Sequence, residues 1–77
     1  MPRKLQSPKY AKLRDVLTSE RLAAEMTQAM LAHKLKRPQS FVSKFENGLR
    51  HLDVIEFIEI CKAIGVDPRE IVGRVAR

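Results

Sequence analysis

The 77-residue sequence predicts an all-α fold, five short helices packed around one compact core. Three observations carry this prediction. Apolar residues recur at helical spacing in several separate stretches, with no convincing alternating run of the kind a strand needs. Helix-starting residues recur at Ser7-Pro8, Thr27, Asp53 and Asp67-Pro68. Stop signals stand at Asn47-Gly48 and Gly65, where glycine supplies the positive φ of a helix end.

The elements follow in order. Residues 1–7 read as a flexible basic arm and residues 8–77 as a single domain. Ser7 as cap and Pro8 in the first turn start a helix over about 8–24. Tyr10, Leu13, Leu17, Arg21 and Ala24 fall on one stripe of it, with Val16 beside them. Thr27 caps a second helix over about 28–35, with Leu31 and Leu35 inward and the small Ala32 where a crossing helix comes close. Lys36-Arg37-Pro38 forms a turn, because Pro38 disfavours the α region for Arg37. A third helix runs over about 39–46, with Val42 and Phe45 inward. Asn47-Gly48 would also suit a hairpin, but no alternating runs flank it, so it reads as a helix end. Asp53 caps a fourth helix over about 53–64. Val54, Phe57, Ile58, Ile60, Cys61 and Ile64 form its apolar face, and Glu56, Glu59 and Lys62 face water. Asp67-Pro68-Arg69-Glu70 opens a fifth helix over about 68–75, with an N-cap, Pro at N1 and Glu at N3.

Composition narrows the function classes. A chain of this size has a marginal core, and one cysteine, Cys61, allows neither a disulfide framework nor a zinc set. No apolar run approaches membrane-spanning length, and the basic N-terminus has no apolar stretch of a secretory signal behind it. The expectation is a soluble cytoplasmic protein. No nucleophile–base pair, paired carboxylates or Gly-rich phosphate loop argues for an enzyme, and no cofactor or metal is expected. His33 and His51 read as surface residues near phosphate rather than metal ligands. The net charge is +6 and the pI about 10, which suits nucleic acid, an acidic membrane surface or an acidic protein. Distribution favours the first. Arg3, Lys4, Lys9, Lys12 and Arg14 lie in an N-terminal stretch without an acid, while Asp53, Glu56 and Glu59 cluster later.

Residues 27–48 are the most informative stretch. From Met26 to Phe45 the bases are Lys34, Lys36, Arg37 and Lys44, and there is no acid. Gln39, Ser40, Ser43 and Lys44 project from the outer face of the third helix. Such a surface suits a polyanion that also displays hydrogen-bonding base edges, that is, duplex DNA read by a helix-turn-helix. Behind it, Arg21 and Glu46 both lie on inward positions. Either they meet as an ion pair, since a lone buried charge is very costly, or both reach water at the domain edge. Phe41 either packs inward against the second helix or touches a thymine methyl, and packing is favoured.

The set Thr27-Gln28, Leu31-Ala32, Leu35 and Gln39-Ser40-Phe41-Val42-Ser43-Lys44-Phe45-Glu46-Asn47-Gly48 resembles the Cro/repressor-type (Xre) helix-turn-helix domain of phage and bacterial transcription regulators. The resemblance covers roughly residues 13–72. It implies a compact five-helix lambda-repressor-like domain, sequence-specific double-stranded DNA binding, a homodimer and a regulatory role in a bacterial or phage-encoded protein. It also favours the Arg21–Glu46 pair, which that family commonly has. Gln39, Ser40 and Lys44 match base-reading positions. Gln28 matches a phosphate-contacting glutamine, Ser43 and Asn47 match positions that often reach the DNA backbone, and Thr27 is also expected to contact phosphate. Two departures stand out: Lys36 replaces a glycine usual at the turn, where φ is often positive, and Glu25 replaces another common glycine.

In that geometry Gln39 would pair with adenine and Lys44 would donate to guanine. Gln28 would hold a phosphate at the positive end of its helix, with Lys34, Lys36, Arg37 and Arg50 adding ion contacts. Arg3 and Lys4 either follow a groove or stay disordered. A palindromic operator bound by a homodimer is expected, with Leu49, Leu52, Ile71, Val72 and Val75 as interface candidates. The competing expectation is an antitoxin-like or protein-interaction module with a protein partner, marked by a large exposed apolar patch around the fifth helix.

Overall fold

Short-range capping chemistry decides where the helices begin. The computed structural model describes residues 7–77; Arg3, Lys4 and the rest of the expected arm before Ser7 lie outside the described residues. Helix α1 (Pro8–Ala23) starts where the Ser7 hydroxyl accepts the Tyr10 N–H, with Pro8 in its first turn. Helix α2 (Gln28–Leu35) starts where the Thr27 hydroxyl accepts the Met30 N–H at 3.0 Å. Helix α3 (Gln39–Glu46) follows Pro38 without a side-chain cap, so neither Gln39 nor Ser40 is used as one. Helix α4 (Val54–Ile64) carries a reciprocal capping box, and helix α5 (Pro68–Ala76) starts at Asp67 with Pro68 in its first turn. Among the described residues there is no strand.

Four helices end in one way. Glu25, Lys36, Gly48 and Gly65 all adopt positive φ, at 59°, 57°, 74° and 95°. After each, the chain turns back and its N–H groups take the last carbonyls of the helix: Met26 donates to Arg21, Arg37 to Ala32, Leu49 to Lys44 and Val66 to Cys61. Two of these ends use non-glycine residues, which costs roughly 1–2 kcal/mol each in the left-handed region. The helix-end hydrogen bonds that the turns allow offset that cost. At Gly48 a side chain would also meet the Arg14 guanidinium at 2.9 Å.

The core draws on all five helices. Leu17, Leu31, Val42, Phe45, Ile60, Cys61 and Ile71 are fully buried, with Ala32, Phe41 and Phe57 close behind. Helix α2 lies against α3 and α4, while α1 bridges α3 and α5. Ala32 sits buried where α2 is crossed, as its small side chain suggests.

Several expectations need correction. Val54 stands on the apolar side of α4 with Phe57 and Ile58, but it is 70% exposed and outside the core. Glu56, expected in water, is buried. The reason is the capping box: Glu56 reaches back to the Asp53 N–H at 3.0 Å, where Arg50 closes over its carboxylate. Ala24 leaves the α1 stripe and is exposed, because the helix has already ended at Ala23. Ile71, an interface candidate, is fully buried between α5 and the core. Helix α5 runs one residue further than expected, to Ala76.

Candidate nucleic-acid interface

The short helix α3 owes its orientation to its apolar side. Val42 and Phe45 are completely enclosed, and Phe41 is buried beside Phe45 with ring centroids 5.7 Å apart. The opposite side therefore faces water, and it presents Gln39, Ser40 and Lys44, all exposed. These side chains combine amide, hydroxyl and ammonium groups, the donors and acceptors that base edges match. At the far end of the same helix, the Asn47 amide donates to the Ser43 carbonyl at 2.8 Å and to the Ser43 hydroxyl at 3.3 Å. Asn47 is exposed and Ser43 half-buried.

Helix α2 adds its N-terminal turn. Thr27 is exposed but its hydroxyl is occupied as the cap. Gln28 is half-buried, and its amide donates to Glu46 Oε1 at 3.0 Å. Its side chain is thus anchored inward. Lys36 and Arg37 are exposed in the turn between α2 and α3. Lys34 instead donates to the Ala63 carbonyl at the end of α4.

Behind this surface lies the ion pair expected from the sequence. Arg21 donates from Nε to Glu46 Oε2 at 2.8 Å and from Nη2 to Oε1 at 3.0 Å. Its Nη1 donates to the Met26 carbonyl at 2.7 Å. The two side chains are 9% and 5% exposed, so the pair is buried rather than at the domain edge. It ties α3 to α1, and through Gln28 to α2.

A second charged cluster holds the opposite end of α3, and the sequence reading missed it. Arg50 donates from both terminal nitrogens to the two Glu56 oxygens, each at 2.8 Å. Arg37 stands 3.4 Å from the same carboxylate. Both guanidiniums lie over the Phe41 ring, 4.5 Å (Arg37) and 4.8 Å (Arg50) from its centroid. The Arg50 hydrogen bonds hold the Glu56 carboxyl down at about 2, helped by the Asp53 N–H and the nearby Arg37 charge, against the opposing effect of burial. The Asp53-x-x-Glu56 spacing was a usable sequence signal for an inward Glu56.

The remaining singled-out residues take structural places. Cys61 is fully buried, and burial, with the Asp67 charge, pushes its thiol up to about 11. His51 packs against Tyr10 with the rings tilted and 4.4 Å between centroids, and both His51 and His33 are exposed. Among the described residues no group of three or more His, Cys, Asp or Glu is arranged to hold a metal. No helix among them is long and apolar enough to cross a membrane.

Comparison with known proteins adds to this geometry. A family model described as helix-turn-helix matches residues 17–71. The fold is similar to an XRE-family like protein from Pseudomonas syringae pv. tomato str. DC3000, with a TM-score of 0.86 and 50% identity, over 88% of this chain and 83% of that one. It is also similar to the restriction-modification controller protein C.Esp1396I, with a TM-score of 0.83 and 25% identity over 92% of both chains. A point mutant of that controller bound to its highest-affinity operator site is similar with a TM-score of 0.78 and 25% identity, over 94% of this chain and 100% of that one. No curated protein sequence matches the chain.

Proposed function

The chain belongs to the XRE-type helix-turn-helix family, and on that premise we propose that it is a sequence-specific, double-stranded-DNA-binding transcriptional regulator acting as a repressor. The observation that carries this reading is the two-sided α3. Its inner face is locked into the core by Val42 and Phe45, and its outer face offers Gln39, Ser40 and Lys44. In the major groove Gln39 pairs with adenine and Lys44 donates to guanine, with Ser40 as an adaptable partner. Thr27, Gln28, Lys36, Arg37, Ser43 and Asn47 border this face and suit the sugar–phosphate backbone. Gln28, fastened to Glu46, would approach phosphate with α2 behind it. The operator-bound relative of the same fold supports this docking.

One α3 reads only a few base pairs, so the reading includes a homodimer on an inverted repeat. Exposed Leu49, Val54, Ile55 and Val72 supply apolar surface for it, and half-buried Leu52 and Val75 border that surface. Occupation of the operator would then be the regulatory act. The same surface favours a second reading, an antitoxin-like module that covers it with a different protein.

Selection from a random duplex library of about 30 base pairs, enough for two half-sites one turn apart, tests the proposal. An enriched inverted repeat is the expected result. Weak binding without enrichment would overturn the regulator reading in favour of the interaction module.

A further inference from the structure

The Glu56 carboxylate is no partner for bases or phosphates, yet through Arg50, Arg37 and Phe41 it grips the end of α3 that would enter the groove. Resting on the DNA-binding reading above, we propose that Glu56 is a specificity-determining residue, keeping the Arg50 guanidinium on Phe41 and away from DNA phosphate.

The geometry supports a retained rather than a free arginine. A guanidinium has five N–H donors in a planar fork that fits carboxylate and phosphate equally well. Three Arg50 hydrogen bonds use that fork inward: two to Glu56 and one from Nη1 to the His51 carbonyl at 2.9 Å. Its face rests on Phe41. Yet 38% of the Arg50 side chain is exposed, so a phosphate has access to it. Glu56 is 8% exposed, is further tied by the Asp53 N–H, and does not leave with an exchanging ion. Arg37 is held less firmly, at 3.4 Å and through one nitrogen, and remains the phosphate-ready member of the pair.

The consequence follows from what each partner does. An arginine on phosphate binds all sequences alike and steepens salt dependence. An arginine on Phe41 instead fixes the residue next to Ser40, and with it the aim of the base-reading side chains. Glu56 converts the first kind of arginine into the second.

Glu56→Gln is the test, because glutamine can still serve in the capping box while it loses the charge that holds Arg50. Binding of the selected duplex and of a random-sequence duplex is measured against salt, with folding followed by circular dichroism. The variant is expected to bind random duplex more tightly at low salt, with a slope steeper by about 0.9 log units per log salt. The ratio of selected to random affinity is expected to fall about tenfold, roughly one base pair of discrimination. The double variant Glu56→Gln/Arg50→Met should return the slope to that of the unaltered protein. If the slope stays fixed and both affinities fall together, Glu56 is only structural and the proposal fails. Should Glu56→Gln not fold, arginine side-chain NMR of the unaltered protein decides. Arg50 resonances unmoved by random duplex, with Arg37 resonances shifted, support the proposal, and shifted Arg50 resonances overturn it. Absence of salt-dependent duplex binding by the unaltered protein would refute the DNA-binding reading itself, a distinguishable failure.

Discussion

Replacing Arg21 by methionine isolates the buried ion pair that joins α1 to α3. Methionine keeps much of the side-chain length and apolar stem but removes three donors: two to Glu46 and one to the Met26 carbonyl. The Glu46 side chain, 5% exposed, would be left with the Gln28 amide. Removing one partner of a buried pair costs about 3–5 kcal/mol. A chain of this length has total stability of about 4–12 kcal/mol, so the loss is a large share of it. At about 4–8 °C per kcal/mol, the melting temperature should fall by about 12–40 °C. Urea and thermal unfolding followed by far-ultraviolet circular dichroism measure this directly. The double replacement Arg21→Met/Glu46→Met should recover much of the loss, since an apolar pair of similar volume is often neutral or better. A single variant within about 0.5 kcal/mol of the unaltered protein, the range of an ordinary surface change, would refute the argument.

The other predictions concern charge, turn geometry and contact. Because the folded Glu56 carboxyl is depressed from 4.5 to about 2, its contribution is fully present above about 4.5 and is lost as pH falls toward about 2; urea midpoints across that range should drop, and Glu56→Gln should flatten the drop. Lys36→Gly relieves a left-handed lysine at φ 57° and should raise stability by roughly 0.5–1 kcal/mol after the entropy of glycine is counted; an unchanged or lower urea midpoint would deny strain at the turn. Lys44→Ala should cost about 1–3 kcal/mol on the selected duplex and relax preference at one base pair, whereas an equal loss on every duplex would mark Lys44 as a phosphate contact. Gln28→Ala should weaken binding to all duplexes alike, and competition binding with unchanged affinities would remove α2 from the contact surface.

Much of the site was legible from the chain because its signals are short-ranged. Thr27, Asp53 and Asp67 act on N–H groups two or three residues away, so the starts of α2, α4 and α5 could be read directly. The outer face of α3 follows from Val42 and Phe45 alone, since their burial leaves Gln39, Ser40 and Lys44 outside. Positive φ at Lys36 came from family resemblance, because nothing in a lysine announces a left-handed turn.

By itself, then, the sequence determined the helix order, most of the core residues at helical spacing and the polar face offered by α3. Tertiary structure decided among the partners open to each long polar side chain. Arg50 was read as a phosphate contact from its charge, and only folding shows that it lies on Glu56 and Phe41. For Gln28, read as a phosphate contact, folding adds a hydrogen bond from its amide to Glu46 that its position in the chain did not announce. Arg21 and Glu46 could be assigned to one another only as alternatives until α1 and α3 were packed together. The physical reason is reach. A cap or a helical stripe is settled within about four residues of backbone, whereas a guanidinium or carboxamide has several rotatable bonds and many partners within range. Burial selects among them by penalising every arrangement that leaves a charge without a counter-charge.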